Sequence, residues 1–209
     1  MSRGRSPTRE PGSPDRPDAR KVGAGLGTIY TIGHSTRPLD EFVSLLRAHA
    51  IESLVDVRRY PGSRRYPQFN ADSLATALRG AGIGYTHEVE LGGRRAARPD
   101  SPNGAWRNAG FRGYADHMAT PEFRAALDRL VHVADDGGVA VMCAEAVPWR
   151  CHRRLIADAL VLRGVRVAHI LSDSRADAHT LHEAARHVDG TIRYPAPADE
   201  QPELGPFAS

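Results

Sequence analysis

Both cysteines of the 209-residue chain, Cys143 and Cys151, lie in one short stretch, VMCAEAVPWRCHRR, and His152 and Arg153 follow the second directly. Four interpretations fit this stretch: a reactive thiol with a histidine and an arginine beside it, a disulfide, a zinc or iron site, or two buried and inert thiols. The C-x7-C-H spacing differs from the C-x2-C pattern of common structural zinc sites. Adjacent Cys151 and His152 would also be hard to bring onto one metal.

The elements predicted around the stretch favour a reactive thiol. GVAVMCAE (138–145) is an apolar strand that would end near Cys143, and CHRRLIADALVLRG (151–164) predicts a helix with Cys151 in its first turn. A helix N-terminus and adjacent cations lower the pKa of a thiol. The free N–H groups of the same turn, together with Arg153, would also suit an anion.

Strand and helix patterns alternate along the middle of the chain. Strands are predicted at 28–34, 53–58, 83–91, 138–145 and 165–171, helices at 37–50, 70–80, 120–138, 151–164 and 176–188, and a Gly/Arg-rich loop at 92–113. Such alternation predicts a mostly parallel sheet with helices on both faces. We therefore predict a Rossmann-like three-layer α/β sandwich of about five strands, since a (β/α)₈ barrel needs eight units.

Polar residues recur where the predicted strands end, and ligands of open parallel sheets gather at that edge. They are His34, Ser35, Asp56, Arg58, His87, Glu88, Cys143, Glu145, His169 and Asp173. Asp56 lies in an apolar strand and needs a partner if it is buried. Arg58, or an arginine of the RRYPGSRRYP loop such as Arg64, could form an ion pair with it, which would be structural or functional. Ser35 could equally cap the first helix.

These patterns predict an enzyme, a cysteine-dependent hydrolase or transferase, that acts on a small anionic or nucleotide-like substrate. The predicted catalytic residues are Cys143, Glu145, Cys151, His152 and Asp56, and the predicted anion-binding residues are His34, Ser35, Arg58, Arg64 and Arg153. No metal and no cofactor are predicted. A metal-binding module and a nucleic-acid-associated protein are the alternatives.

The charge pattern supports the nucleic-acid alternative. Residues 1–26 are rich in Arg, Pro, Ser and Gly and predict a disordered basic tail, and ten arginines face five acids in residues 56–113. A single α/β domain is expected over 27–194 and an irregular acidic tail over 195–209. No apolar run approaches the roughly 20 residues of a membrane span, and no signal-like segment is present, so we expect a cytoplasmic protein.

The chain also resembles a known family. TIGHST, LVDVRRYPGSRR, GIGYTHEVELGGR, GFRGYADHMATPEF, VMCAEAVPWRCHRRLIADAL and VAHIL occur in the order of the bacterial and archaeal domain of unknown function 488. The resemblance implies an α/β domain and no settled activity. It implies that the signature positions are His34, Ser35, Asp56, Arg58, Cys143, Glu145, Cys151, His152 and Arg153. A DNA-repair label on some members implies a link to nucleic acid as an alternative.

Overall fold

The computed structural model describes residues 27–135 and 137–197. The strands are β1 (Thr28–Gly33), β2 (Ser53–Asp56), β3 (Gly84–His87), β4 (Val139–Cys143), β5 (Arg166–Ile170), β6 (Ala176–Ala178), β7 (Arg186–Val188) and β8 (Thr191–Arg193). The helices are α1 (Leu39–Ala48), α2 (Ala71–Gly80), α3 (Ala109–His117), α4 (Pro121–Asp135) and α5 (Arg153–Leu162). The predicted tail at 1–26 lies outside the described residues, and so does the predicted tail at 195–209 apart from residues 195–197.

Six strands form one sheet in the order β3-β2-β4-β1-β5-β6. The first five strands run parallel, and β6 pairs antiparallel with β5. One face packs on α1 and α2, and the other packs on α3, α4, α5 and the β7–β8 hairpin. The predicted three-layer α/β sandwich is therefore confirmed. No helix of the described residues has the length and apolar character of a membrane-spanning segment.

The central strand β4 ends at the edge where the site is built. All five of its residues are buried, as expected for a strand covered on both faces. The parallel register places Cys143, its last residue, opposite Gly33, the last residue of β1. Ligand-binding residues that follow these strands therefore meet at one edge of the sheet.

The C-terminal region differs from the prediction. The helix expected at 176–188 is absent, and its two ends form the strands β6 and β7. Asp158 of α5 explains the difference, since it accepts hydrogen bonds from the His179 ring and from the His182 backbone N–H. These contacts, more than 20 residues apart in sequence, override the local helical periodicity.

The Gly/Arg-rich segment also differs from the prediction, because the loop expected to continue to residue 113 ends at α3. Asn108 caps this helix through its side-chain oxygen, which accepts the N–H groups of Gly110 and Phe111. Gly110 and Gly113 are poor helix formers, so the sequence pattern of this segment did not predict a helix. Gly113 is required for packing, since a Cβ there would lie 2.5 Å from the backbone nitrogen of Ala97.

We expect Gly113→Ala to lower the free energy of unfolding by about 2 kcal/mol or more, because the methyl group overlaps the backbone of residues 95–97. The matched control is Gly80→Ala in α2, where a Cβ meets nothing within 4 Å. Alanine should leave stability there unchanged or raise it by up to about 1 kcal/mol. Urea unfolding measures both, and equal effects of the two substitutions would contradict the close packing of α3.

Candidate functional site

The two cysteines meet at the carboxyl edge of the sheet, where Cys143 ends β4 and Cys151 follows a mostly exposed loop. Their sulfur atoms are paired, and their Cα atoms lie 7.7 Å apart. Disulfides usually join Cα atoms 4.4–6.8 Å apart. The structure thus joins the two cysteines as a disulfide, the pairing that the sequence offered as one alternative, although the backbone is about 1 Å wider than a disulfide ordinarily spans. When this pair is reduced, the same geometry leaves two neighbouring thiols that face each other.

A buried arginine lies behind Cys143. Arg153 is 1% exposed, and its Nη1 donates to Cys143 Sγ at 2.8 Å. The guanidinium also donates to the backbone carbonyls of Glu145 and Ala146, while its Nε has no hydrogen-bond partner among the described residues. Burial lowers the pKa of Arg153 to about 10, so the side chain stays charged at neutral pH.

Glycine at position 33 makes room for this arrangement. A Cβ on Gly33 would overlap the backbone carbonyl of Glu145 and lie 3.0 Å from Arg153 Nη1. The end of β1 therefore tolerates no side chain at this position. The loop after β4 can then pass close to β1, as shown by the hydrogen bonds from the N–H groups of His34 and Ser35 to the carbonyls of Cys143 and Ala144.

His152 has a defined tautomer. Its Nε2 lies 3.0 Å from the backbone carbonyl of Val57, which only accepts hydrogen bonds, so Nε2 carries a proton. Burial lowers the pKa of His152 to about 4, and the ring is neutral at pH 7. Nδ1 is then a proton acceptor, and it lies 3.6 Å from Cys151 Sγ. The neutral imidazole is therefore placed to take a proton from this thiol.

The predicted place of Cys151 in the first helical turn was wrong. Its backbone is extended, with φ −132° and ψ 145°, and α5 begins two residues later at Arg153. The preceding stretch forms a short 3₁₀ turn over Pro148–Arg150, which delays the start of the helix. Cys151 therefore owes its polar surroundings to His152 and not to the N–H groups of a helix start.

A cavity of about 390 Å³ opens in front of the cysteines. Its cationic residues are Arg58, Arg59, Arg94 and Arg150, and its aromatic residues are Tyr60, Phe111 and Tyr114. Cys143, Cys151, His152 and Glu145 also line it. Gly93 packs against the His152 ring, and Arg94 adopts a left-handed φ of 57°. Strained backbone of this kind is found most often at binding sites.

Asp56 and Arg58 form the buried ion pair that the sequence predicted as one alternative. The Arg58 guanidinium donates to both carboxylate oxygens of Asp56, and Tyr85 Oη donates to Oδ2 at 2.8 Å. Asp56 is fully buried and does not line the cavity. Its carboxylate thus neutralises Arg58, and both of its oxygens are engaged away from the cysteines.

The other predicted anion-binding residues lie apart from the cavity. His34 is buried, stacks on Phe69 at 4.2 Å and has a pKa lowered to about 4 by burial. Ser35 has a left-handed φ of 50°, and Arg64 is exposed beyond the cavity lining. Of the five predicted anion-binding residues, only Arg58 lines the cavity, whereas Arg59, Arg94 and Arg150 were not singled out.

His169, one of the polar residues predicted at a strand end, belongs to a second polar network, which the sequence did not predict. Thr31 donates to His169 Nδ1, His169 Nε2 contacts His179 Nδ1 at 2.9 Å, and His179 Nε2 contacts Asp158 at 2.8 Å. Tyr194 Oη donates to the other oxygen of Asp158. The available signal was Asp158 itself, a carboxylate among the apolar positions of LIADAL. No group of three or more His, Cys, Asp or Glu side chains within 27–135 and 137–197 is arranged to hold a metal.

Comparison with known protein families gives a match over the middle of the chain. The family model described as Domain of unknown function DUF488 matches residues 38–160, more than half of the chain. The matched range contains both cysteines, His152 and Arg153, and it begins after the TIGHST motif. No curated protein matches the chain. The match assigns a family and no reaction.

Three buried histidines predict acid sensitivity. Burial lowers the pKa of His34, His152 and His169 to about 4, against 6.5 for an unfolded histidine. Between these values the unfolded chain binds more protons, so stability falls as the pH falls from 6.5 to 4. At about 1.4 kcal/mol per pKa unit, we expect the free energy of unfolding to drop by several kcal/mol from pH 7 to pH 5.

Urea unfolding at pH 7, 6 and 5 measures this loss. His34→Gln should flatten the pH dependence, whereas His132→Gln, which removes an exposed histidine, should leave it unchanged. An unfolding midpoint that is the same at pH 7 and pH 5 would show that these rings are not kept neutral by burial.

Proposed function

We propose that this chain, which belongs to the DUF488 family, is a cysteine-dependent enzyme acting on a small anionic substrate in the cavity at the end of β4. One observation carries the proposal: the sulfur of Cys143, which lines the cavity together with Arg59, Arg94 and Arg150, accepts a hydrogen bond from the buried guanidinium of Arg153. This combination supports a thiolate that attacks an anion held in front of it.

The charge of Arg153 supports a thiolate at Cys143. Transfer of a guanidinium out of water costs several kcal/mol unless other groups compensate for it. No carboxylate of the described residues forms an ion pair with Arg153, whose side-chain partners are two carbonyls and one sulfur. A negative charge on that sulfur supplies the missing compensation. Cations beside a cysteine favour the thiolate, which is the nucleophilic form.

His152 and Glu145 supply proton transfer in this proposal. The neutral His152 ring presents Nδ1 toward Cys151 and can take its proton. Glu145 is exposed at the cavity and can donate a proton to, or accept one from, a leaving group. Asp56 acts indirectly, because it holds Arg58 in place from beneath the cavity.

The lining sets the class of substrate. Three lining arginines that form no ion pair among the described residues, Arg59, Arg94 and Arg150, favour an anion. The rings of Tyr60, Phe111 and Tyr114 favour a flat or apolar group beside the charge. A nucleotide-like molecule combines both features. The reaction is a nucleophilic displacement by sulfur, as in a cysteine-dependent hydrolase or transferase. A reducing cytoplasm is the compartment in which the paired thiols would stay reduced.

We expect Cys143 to react with iodoacetamide at neutral pH and Arg153→Met to slow this reaction by about tenfold or more, since the cation favours the thiolate. Alkylation of the reduced protein, followed at each cysteine by peptide mass spectrometry from pH 5 to 9, measures the effect. Arg79→Gln, on the exposed end of α2, is the control arginine and should leave the rates unchanged.

Folding of each variant is checked by circular dichroism, so that loss of structure is not taken for loss of the cation. A Cys143 that is alkylated only above about pH 8.5, the pKa of a free thiol, with the same profile in Arg153→Met, would contradict the proposed nucleophile.

A further inference from the structure

The two thiols have different surroundings although their sulfur atoms face each other. Cys143 Sγ accepts from a guanidinium, and Cys151 Sγ lies beside the unprotonated nitrogen of a neutral imidazole. The first environment favours a thiolate at rest, and the second allows a thiol to lose its proton at the moment it attacks. Two such positions match the attacking and resolving thiols of a disulfide exchange.

We infer that the site carries out thiol–disulfide exchange, with small anionic disulfides as its substrates. This inference rests on the proposed function and specifies the bond on which it acts. Cys143 is the attacking thiol and Cys151 the resolving thiol. A single nucleophilic cysteine would need neither the second sulfur nor the His152 nitrogen that is directed at it.

In the first step, the Cys143 thiolate attacks one sulfur of the substrate. A bond forms between Cys143 Sγ and that sulfur, the substrate S–S bond breaks, and the other half leaves as a thiolate with the electron pair. In the second step, Cys151 gives its proton to His152 Nδ1 and attacks Cys143 Sγ. The remaining half of the substrate leaves and takes the proton from His152.

The electrons balance over the two steps. The substrate disulfide gains two electrons and becomes two thiols, one of them leaving as the thiolate, and the Cys143–Cys151 pair loses two electrons and becomes a disulfide. A low-molecular-weight thiol, two equivalents for each turnover, returns the pair to the reduced state by the reverse exchange.

The chain between the cysteines is suited to this cycle. Closing the disulfide requires the Cα atoms, 7.7 Å apart, to approach by about 1 Å. Arg153 holds the carbonyls of Glu145 and Ala146, but Trp149 and Arg150, which directly precede Cys151, are exposed, so this end of the loop can shift without disturbing the core. Cys143 itself is fixed by the pairing of β4, which leaves Cys151 as the half that moves.

The cavity rim predicts a preference for negative charge. Arg94 and Arg150 are exposed, line the cavity and form no ion pair among the described residues. A disulfide with carboxylates on both sides of its sulfur atoms meets these cations, whereas one with ammonium groups is repelled. Glutathione disulfide and cystamine are probes of these two kinds.

The experiment mixes the reduced, full-length protein at pH 7 with 5,5′-dithiobis(2-nitrobenzoate), whose released thiolate is coloured. We expect the unaltered chain to release two equivalents and to end two mass units lighter, with no adduct. Cys151→Ser should release one equivalent and keep a mixed disulfide on Cys143. Cys143→Ser should release the thiolate at least about tenfold more slowly than the unaltered chain.

The same protein should be oxidised by glutathione disulfide at least about tenfold faster than by cystamine. The double substitution Arg94→Gln and Arg150→Gln should reduce this ratio, whereas Arg79→Gln should not. A ratio near one in the unaltered chain would overturn the anionic substrate class.

A stable mixed disulfide and a single equivalent from the unaltered chain would overturn the exchange cycle while leaving the nucleophilic Cys143 intact. A Cys143 that is slow with both iodoacetamide and the disulfide would overturn the proposed function as well. The two failures therefore give different readouts.

Discussion

A buried cation holds the site together. Arg153 is the first residue of α5 and is 1% exposed, and its Nη1 and Nη2 atoms donate to the Cys143 sulfur and to the carbonyls of Glu145 and Ala146. Because a buried guanidinium is costly without acceptors, the end of β4, the loop and the start of α5 must keep their relative positions. Gly33 is the matching requirement on β1, since any side chain there would occupy the same space.

A second arginine at the same edge shows what is unusual about the first. Arg58 is neutralised by Asp56 through hydrogen bonds to both carboxylate oxygens, and Tyr85 completes that closed group. Its charge therefore serves mainly to build the core. Arg153 has no such partner among the described residues, so its charge acts on the Cys143 sulfur. The proposed chemistry of this edge therefore rests on the difference in partners between the two arginines and not on the number of arginines.

The sequence predicts those parts of the structure that depend on neighbours along the chain. Strand and helix periodicity predicts the α/β class, and the predicted strand ends correctly place Cys143 and Asp56 at the carboxyl edge of the sheet. The Asp56–Arg58 pair follows from a spacing of two residues. The prediction of a helix at 176–188 was wrong because His179 and His182 bind Asp158. No local sequence pattern reveals these contacts. The cavity arginines Arg59, Arg94 and Arg150 were missed for the same reason, since they lie on separate segments of the chain that come together only after folding.

The triplet CHR shows how a local change of backbone directs three adjacent side chains to three tasks. Cys151 is extended, His152 precedes the helix and Arg153 begins it, so their side chains diverge. The sulfur meets Cys143, the imidazole donates to Val57, and the guanidinium passes beneath the loop. Burial, and to a smaller extent the charges of Arg153 and Arg95, keep the pKa of His152 low. In the proposed site, different residues therefore carry charge and transfer protons: the arginines carry the positive charge, and the neutral His152 accepts a proton.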